Sequence, residues 1–254
     1  MSGRLHGARI VVVGAGTDDR GHADAPPGNG RAIAVRAARE GAASVVCVDR
    51  DEASARATAE LVEDEGAVAE VVVADVSDPD ACARVVAEAE TLTGLVLNVG
   101  IGAGRRLAGT TAADWDRTFS VNVRSHFLIT QAALDVLPQG GSIVYIGSVA
   151  GLQPGSQIPA YDASKAALIG LCRHVALEGA RRGVRANVVA PGLIDTPLGR
   201  QATEGRPSRA RTPVPLGRSG TAWEVAAATC FLLSDDASYV TGDVLTVDGG
   251  LHLI

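Results

Sequence analysis

This chain predicts a single α/β domain built on a doubly wound parallel sheet, for three reasons. Short runs rich in valine and isoleucine recur along it, alanine-rich segments with helical spacing separate them, and the apolar runs are continuous rather than alternating. Strands of that kind are buried on both faces, as happens when right-handed crossovers place helices on both sides of a parallel sheet. At 254 residues and 46% hydrophobic content the chain can bury a full core, and no linker divides it.

The strands are expected at 8–14, 43–49, 69–75, 94–100, 141–147, 184–192 and 243–250, giving about seven in one sheet. The first helix is expected to open at "GNGRAIAVRAARE", just after the first strand's glycine-rich end. Two stretches break the rhythm and read as loops: 17–30, "TDDRGHADAPPGNG", and 199–215, "GRQATEGRPSRARTPVP". Ligands of such a sheet bind beyond the carboxyl ends of the strands, where the winding reverses.

A net charge of −6 with scattered arginines leaves no basic face suited to nucleic acid. No apolar run reaches membrane-spanning length, and the N-terminus runs almost directly into a strand without a signal-like segment. A cytoplasmic enzyme is expected. Cys47, Cys82, Cys172 and Cys230 lie far apart and read as packed, reduced thiols. Cys172 and His174 are two apart on an expected helix and face different ways, so no metal site is expected.

Gly14 and Gly16 end the first strand, and Gly28, Asn29 and Gly30 open the first helix. Glycines there let backbone approach a pyrophosphate and present helix N-terminal amides to it. The second strand ends at Asp49, close to the spacing at which an acid binds the adenosine ribose of NAD, and its charge would repel the 2′-phosphate of NADP. Asp49 could instead cap the next helix, a task open also to Asp51. Arg50 keeps NADP open, because a guanidinium beside the ribose can hold a phosphate.

The only lysine of the chain, Lys165, stands four residues after Tyr161. On a helix the two share a face, so the ammonium can stabilise a phenolate whose ordinary pKa of about 10 makes it a poor base near neutrality.

With these features in order, the chain resembles the short-chain dehydrogenases/reductases from Gly14 to "VTGDVLTVDGG" at 240–250. The family's glycine motif, Gly-x-x-x-Gly-x-Gly, is matched by Gly14, Gly28 and Gly30 with about ten extra residues after Gly16. Asp75 and Val76 match the family's adenine contacts. "LNVG" at 97–100 stands where the family has Asn-Asn-Ala-Gly, keeping Asn98 and Gly100 and placing Leu97 and Val99 where altered packing is expected. The family's catalytic set maps onto Asn122, Ser148, Tyr161 and Lys165, and its nicotinamide segment onto Pro191, Gly192, Ile194 and Thr196.

The resemblance implies a Rossmann domain over 1–254, with a substrate loop at about 195–215. It implies oxidation of a small secondary alcohol, or reduction of the ketone, with Tyr161 as general acid/base, Ser148 on the substrate oxygen, Lys165 on the cofactor ribose and Asn122 holding a relay water. It also implies a homotetramer, and the apolar "LHLI" at 251–254 suits a subunit contact. NAD is the expected cofactor.

Two other readings stand beside this one: an NADPH-dependent 3-oxoacyl-carrier-protein reductase, and a nucleotide-binding regulatory protein that keeps the fold without turnover. Arg200, Arg206, Arg209 and Arg211 in the substrate loop raise the possibility of an anionic substrate, against the plainer reading of a solvated lid. Arg20 or His22, in the stretch after Gly16, could cover the cofactor; a solvated surface loop is the plainer reading there too.

Overall fold

The computed structural model describes residues 3–19, 24–89, 92–203 and 213–254. Seven strands form one all-parallel sheet: β1 Arg9–Val13, β2 Ser44–Asp49, β3 Val68–Val73, β4 Gly94–Leu97, β5 Ser142–Ile146, β6 Arg185–Pro191 and β9 Val244–Val247, in the order β3-β2-β1-β4-β5-β6-β9. Each falls within the run expected for it except β3, which begins one residue earlier, at Val68. A two-stranded parallel pair, β7 Ile194–Asp195 and β8 Gly220–Thr221, lies outside the main sheet.

Alternate residues of the inner strands feed two apolar cores. Ile10, Val12, Val45, Cys47, Val96 and Val144 face one side, where they meet α1 (Asn29–Arg39), α2 (Glu52–Asp64) and α8 (Ala222–Leu233). Val11, Val13, Val46, Leu95, Ile143 and Tyr145 face the other, against α3 (Pro79–Glu88), α5 (Ser125–Val136) and α6 (Pro159–Gly179). Period-two alternation with both faces apolar is why these strands read as continuous hydrophobic runs. All four cysteines are buried and free, packed as small apolar groups.

Winding reverses between β1 and β4, whose paired ends, Val13 and Leu97, open the crevice that positions the site. One expected loop is corrected here. The 199–215 stretch begins as helix, because Pro197–Thr203 forms α7, which starts on a proline with its φ preset for helix. Thr196 Oγ1 accepts from the Gly199 amide at 3.1 Å and Thr203 Oγ1 donates to the Gly199 carbonyl at 2.9 Å. These local bonds outweigh an arginine- and proline-rich composition.

Candidate active site

The phosphate end is built by a close backbone approach. Gly14 turns the chain out of β1 at φ 84°, a left-handed conformation, so that its amide and that of Ala15 both donate to the Val48 carbonyl. A Cβ on Gly30 would collide with the Gly14 carbonyl oxygen, so α1 begins directly against the end of β1 only because Gly30 has no side chain. Asn98 locks the same carbonyl with an Nδ2 hydrogen bond of 2.8 Å, and Val99 packs against Gly14. The departures Leu97 and Val99 thus fill space beneath the crevice.

Gly28 caps α1 without a side-chain hydrogen bond, and the first turn carries no acid. Its amide donates to Thr17 Oγ1 at 3.0 Å, while the Asn29 Oδ1 is buried with no donor among the described residues. An uncapped helix start with positive dipole and an unused acceptor fits a pyrophosphate and its neighbouring sugar hydroxyls. Thr17 is tied to α2 through Ser54, so the extra segment after Gly16 leaves from a fixed point. Arg20 and His22 lie outside the described residues.

Asp49 stands at the end of β2 with Oδ2 accepting from the Gly16 amide at 2.9 Å and Oδ1 from the Asp51 amide at 3.1 Å. Capping of α2 falls to Asp51, which accepts from the Ser54 amide. Asp49 therefore aims its charge into the glycine loop. Beyond it, Asp75 is exposed; hydrogen bonds from Ser77, with the positive charges of Arg50 and Arg117, hold its carboxyl below the usual range. Val76 is buried beside it.

At the chemical end, Lys165 is 3% exposed. Its ammonium donates to the Ile146 carbonyl at 2.8 Å, lies 5.7 Å from the Tyr161 ring centroid, and borders Gly100. Burial pushes its pKa down to about 8. Ser148 extends from the end of β5, half-buried, with Oγ accepting from the Ala150 amide at 3.1 Å.

Asn122 sits in a π turn, Ser120–Arg124, that joins α4 (Ala112–Phe119) to α5. Its Oδ1 accepts from the Ile101 amide at 2.8 Å, and its Nδ2 donates to the Ile101 carbonyl and to Ser164 Oγ, both at 2.9 Å. The relay water expected on this residue therefore has no free side-chain proton to meet. The side chain is a clamp that fixes the strand β4 exit onto α6, and a π turn is where a backbone carbonyl leaves the helical ladder.

On the opposite wall, the Gly192 amide donates to the Val247 carbonyl at 3.0 Å and its α-carbon lies against Asp248. Pro191 ends β6, Ile194 pairs with Gly220 in the small sheet, and Thr196 holds the start of α7. Arg200 is engaged by Asp195 in a two-pronged pair at 2.6 and 2.9 Å, so it is not the free cation expected for an anionic substrate. Arg206, Arg209 and Arg211 lie outside the described residues. Sequence reasoning missed Asp248, which accepts from the Gly250 and His252 amides and pairs with His252 Nδ1 at 2.7 Å. The only sequence signal was the spacing of four between the two residues.

Comparison with known proteins finds relatives along nearly the whole chain. A family model described as Enoyl-(Acyl carrier protein) reductase matches residues 25–252. The chain is 39% identical to the 2-(S)-hydroxypropyl-CoM dehydrogenase 3 of Xanthobacter autotrophicus over the whole of both chains. It is 35% identical to the (3R)-3-hydroxyacyl-CoA dehydrogenase of Rattus norvegicus over 98% of each. Among solved structures, a 7α-hydroxysteroid dehydrogenase complexed with NADH and 7-oxo glycochenodeoxycholic acid superposes with a TM-score of 0.87 at 29% identity, covering 97% of this chain and 95% of that one. With a crevice of this geometry and relatives of this extent, the chain belongs to the short-chain dehydrogenase/reductase family, whose members oxidise or reduce at CH–OH carbons with a nicotinamide cofactor.

Proposed function

We propose that this enzyme is an NAD-dependent dehydrogenase that interconverts a secondary alcohol and its ketone, with Tyr161 as general acid/base. The observation that carries the reading is the buried Lys165 ammonium, fixed by the Ile146 carbonyl beside the Tyr161 ring at the ends of β4 and β5. A cation in that place favours the phenolate, and low local polarity strengthens the effect.

The chain's residues fit the cofactor. Gly14, Gly16, Gly28, Asn29 and Gly30 would receive the pyrophosphate and adjoining sugar; Asp49, with acceptor capacity beyond its two backbone bonds, the adenosine ribose; Asp75, Val76 and Asn98 the adenine side; and Pro191, Gly192, Ile194 and Thr196 the nicotinamide. Bound NAD supplies the hydride acceptor.

Ser148 positions the substrate oxygen, and Tyr161 removes the hydroxyl proton. Lys165 holds the ribose and keeps the phenol ionisable. Asn122 acts through its clamp on Ile101 and Ser164, which fixes the β4 exit against α6 behind the site. Asp49 favours NAD, since a 2′-phosphate would meet its carboxylate; Arg50 lies close enough to Asp75 to act on it electrostatically.

The two named relatives share a hydroxyl on a carbon chain carried by a thiol coenzyme, and we extend that class to this enzyme. The assembly proposed is the homotetramer. The test follows reduced-nicotinamide absorbance with NAD and such alcohols, or with NADH and their ketones. Tyr161→Phe is expected to lower kcat by about 10²–10⁴-fold while NADH still binds. A variant with wild-type kcat would overturn the role given to Tyr161.

A further inference from the structure

Beside the catalytic crevice lies a second cavity of about 470 Å³, between the loop that follows β4 and the loop that leads into α6. Two backbone outliers face each other there. Arg106 and Gln157 are the only non-glycine residues at positive φ among those described, at 55° and 64°, and the Arg106 amide donates to the Gln157 carbonyl at 2.8 Å. Left-handed backbone is costly for residues with a Cβ and persists where surrounding bonds enforce it. Here they do. The Arg105 and Gly109 backbones pair, Thr110 Oγ1 donates to the Arg106 carbonyl at 2.8 Å, and Ser156 Oγ accepts from the Ile158 amide at 2.8 Å.

The chemistry of the cavity is specific. Arg106 lines it, exposed, and neither Arg105 nor Arg106 has a carboxylate partner among the described residues. Asp162 lines it as well; its Oδ2 accepts from the Gly155 amide at 3.5 Å, and its Oδ1 is buried with no hydrogen-bond partner among the described residues. Leu107, Ile158 and Pro159 supply apolar wall. A ligand that satisfied these groups would carry an anion for Arg106, an N–H or O–H for Asp162 and aliphatic carbon between.

The cavity adjoins the reaction site. Ile158 packs toward Gly102, which also borders Tyr161, and Asp162 follows Tyr161 on α6. A substrate whose hydroxyl reached Tyr161 could therefore lay the rest of its length here. We propose that this cavity is the seat of the substrate's thiol-linked handle, an amide-bearing chain ending in an anion, with Arg106 receiving the anion and Asp162 an amide or hydroxyl hydrogen. The assignment rests on the thiol-carried substrate class proposed above. An acceptor left without a donor favours an amide-bearing phosphopantetheine type over a short sulfonate.

The test measures binding of 4′-phosphopantetheine by calorimetry to enzyme saturated with NADH, so that the dinucleotide site is filled. Arg106→Asn removes the charge with a residue that tolerates left-handed backbone, which preserves the loop. Its Kd is expected to rise at least tenfold over wild type, and that of Asp162→Asn severalfold. An equal Kd in wild type and Arg106→Asn, or no binding to wild type, would overturn the proposal. Tighter binding of 2-mercaptoethanesulfonate than of phosphopantetheine, lost in Arg106→Asn, would overturn the amide-bearing type and retain the anion seat.

In turnover, the KM ratio of acetoacetyl-CoA to ethyl acetoacetate is expected to rise about tenfold in Arg106→Asn. An unchanged ratio would count against the handle seat. Failure of the wild type to reduce either ketone would strike the proposed reaction, while the calorimetry still decides the cavity.

Discussion

At the scale of single residues, the site depends on one buried charge. Lys165 has a pKa near 8 because burial disfavours its ammonium, so the free enzyme carries that charge below pH 8 and loses it above. Lys165→Met is expected to reduce alcohol oxidation at pH 7 by about a hundredfold or more. The deficit should narrow toward pH 10, where the phenol ionises unaided and the wild type has shed the same charge. A pH profile of kcat/KM with parallel limbs for both proteins would contradict this account. Tyr161, Lys165 and Ser148 were legible because their chemistry needs particular side chains at particular spacings. The work done by Asn122 was not, because its three partners come from Ile101 and Ser164, which only the folded chain brings to it. Asp49 lay between, since an acid after a strand can cap a helix or face a ligand, and only the Asp51 cap separates the two.

Among the elements, the strands were the most legible and the special turns the least. Valine-rich runs announce buried strands because both faces need apolar side chains, whereas a π turn needs no residue type that an α-helix lacks. One turn beyond Asn122 on the same helical path, His126 is 1% exposed, accompanied by Ser125 Oγ at 3.0 Å and the Tyr145 ring at 6.3 Å. Burial, aided by the charge of Lys165, lowers its pKa to about 3. The unfolded chain binds this proton near pH 6.5 and the folded chain only near 3. Stability from the neutral imidazole is therefore complete above about pH 6.5 and is lost as pH falls between those values. His126→Phe removes this titration, so between pH 6.5 and 4 its Tm should decline less steeply than that of the wild type. Melting curves with identical slopes in the two proteins would refute the linkage.

For the whole molecule, the halves proposed for adenosine and for catalysis share one sheet, so a ligand across the crevice should stabilise both together. NADH at a hundred times its Kd is expected to add about 2.7 kcal/mol, raising Tm by about 5–11 °C for a chain of this size. NADPH at the same concentration should raise it by less, because of Asp49; an equal or larger shift with NADPH would reverse the cofactor preference. The sheet order has another consequence, in time rather than in energy. Strands β1 to β4 and their helices assemble from residues 9–97, so the adenosine half can form while later residues are still being added. The wall proposed for the nicotinamide cannot, because Gly192 is held by Val247 and Asp248, and β9 follows every other strand of the sheet. A nascent chain would thus acquire its proposed nucleotide-binding half before it had anywhere to carry out chemistry, and catalytic competence would wait for β9.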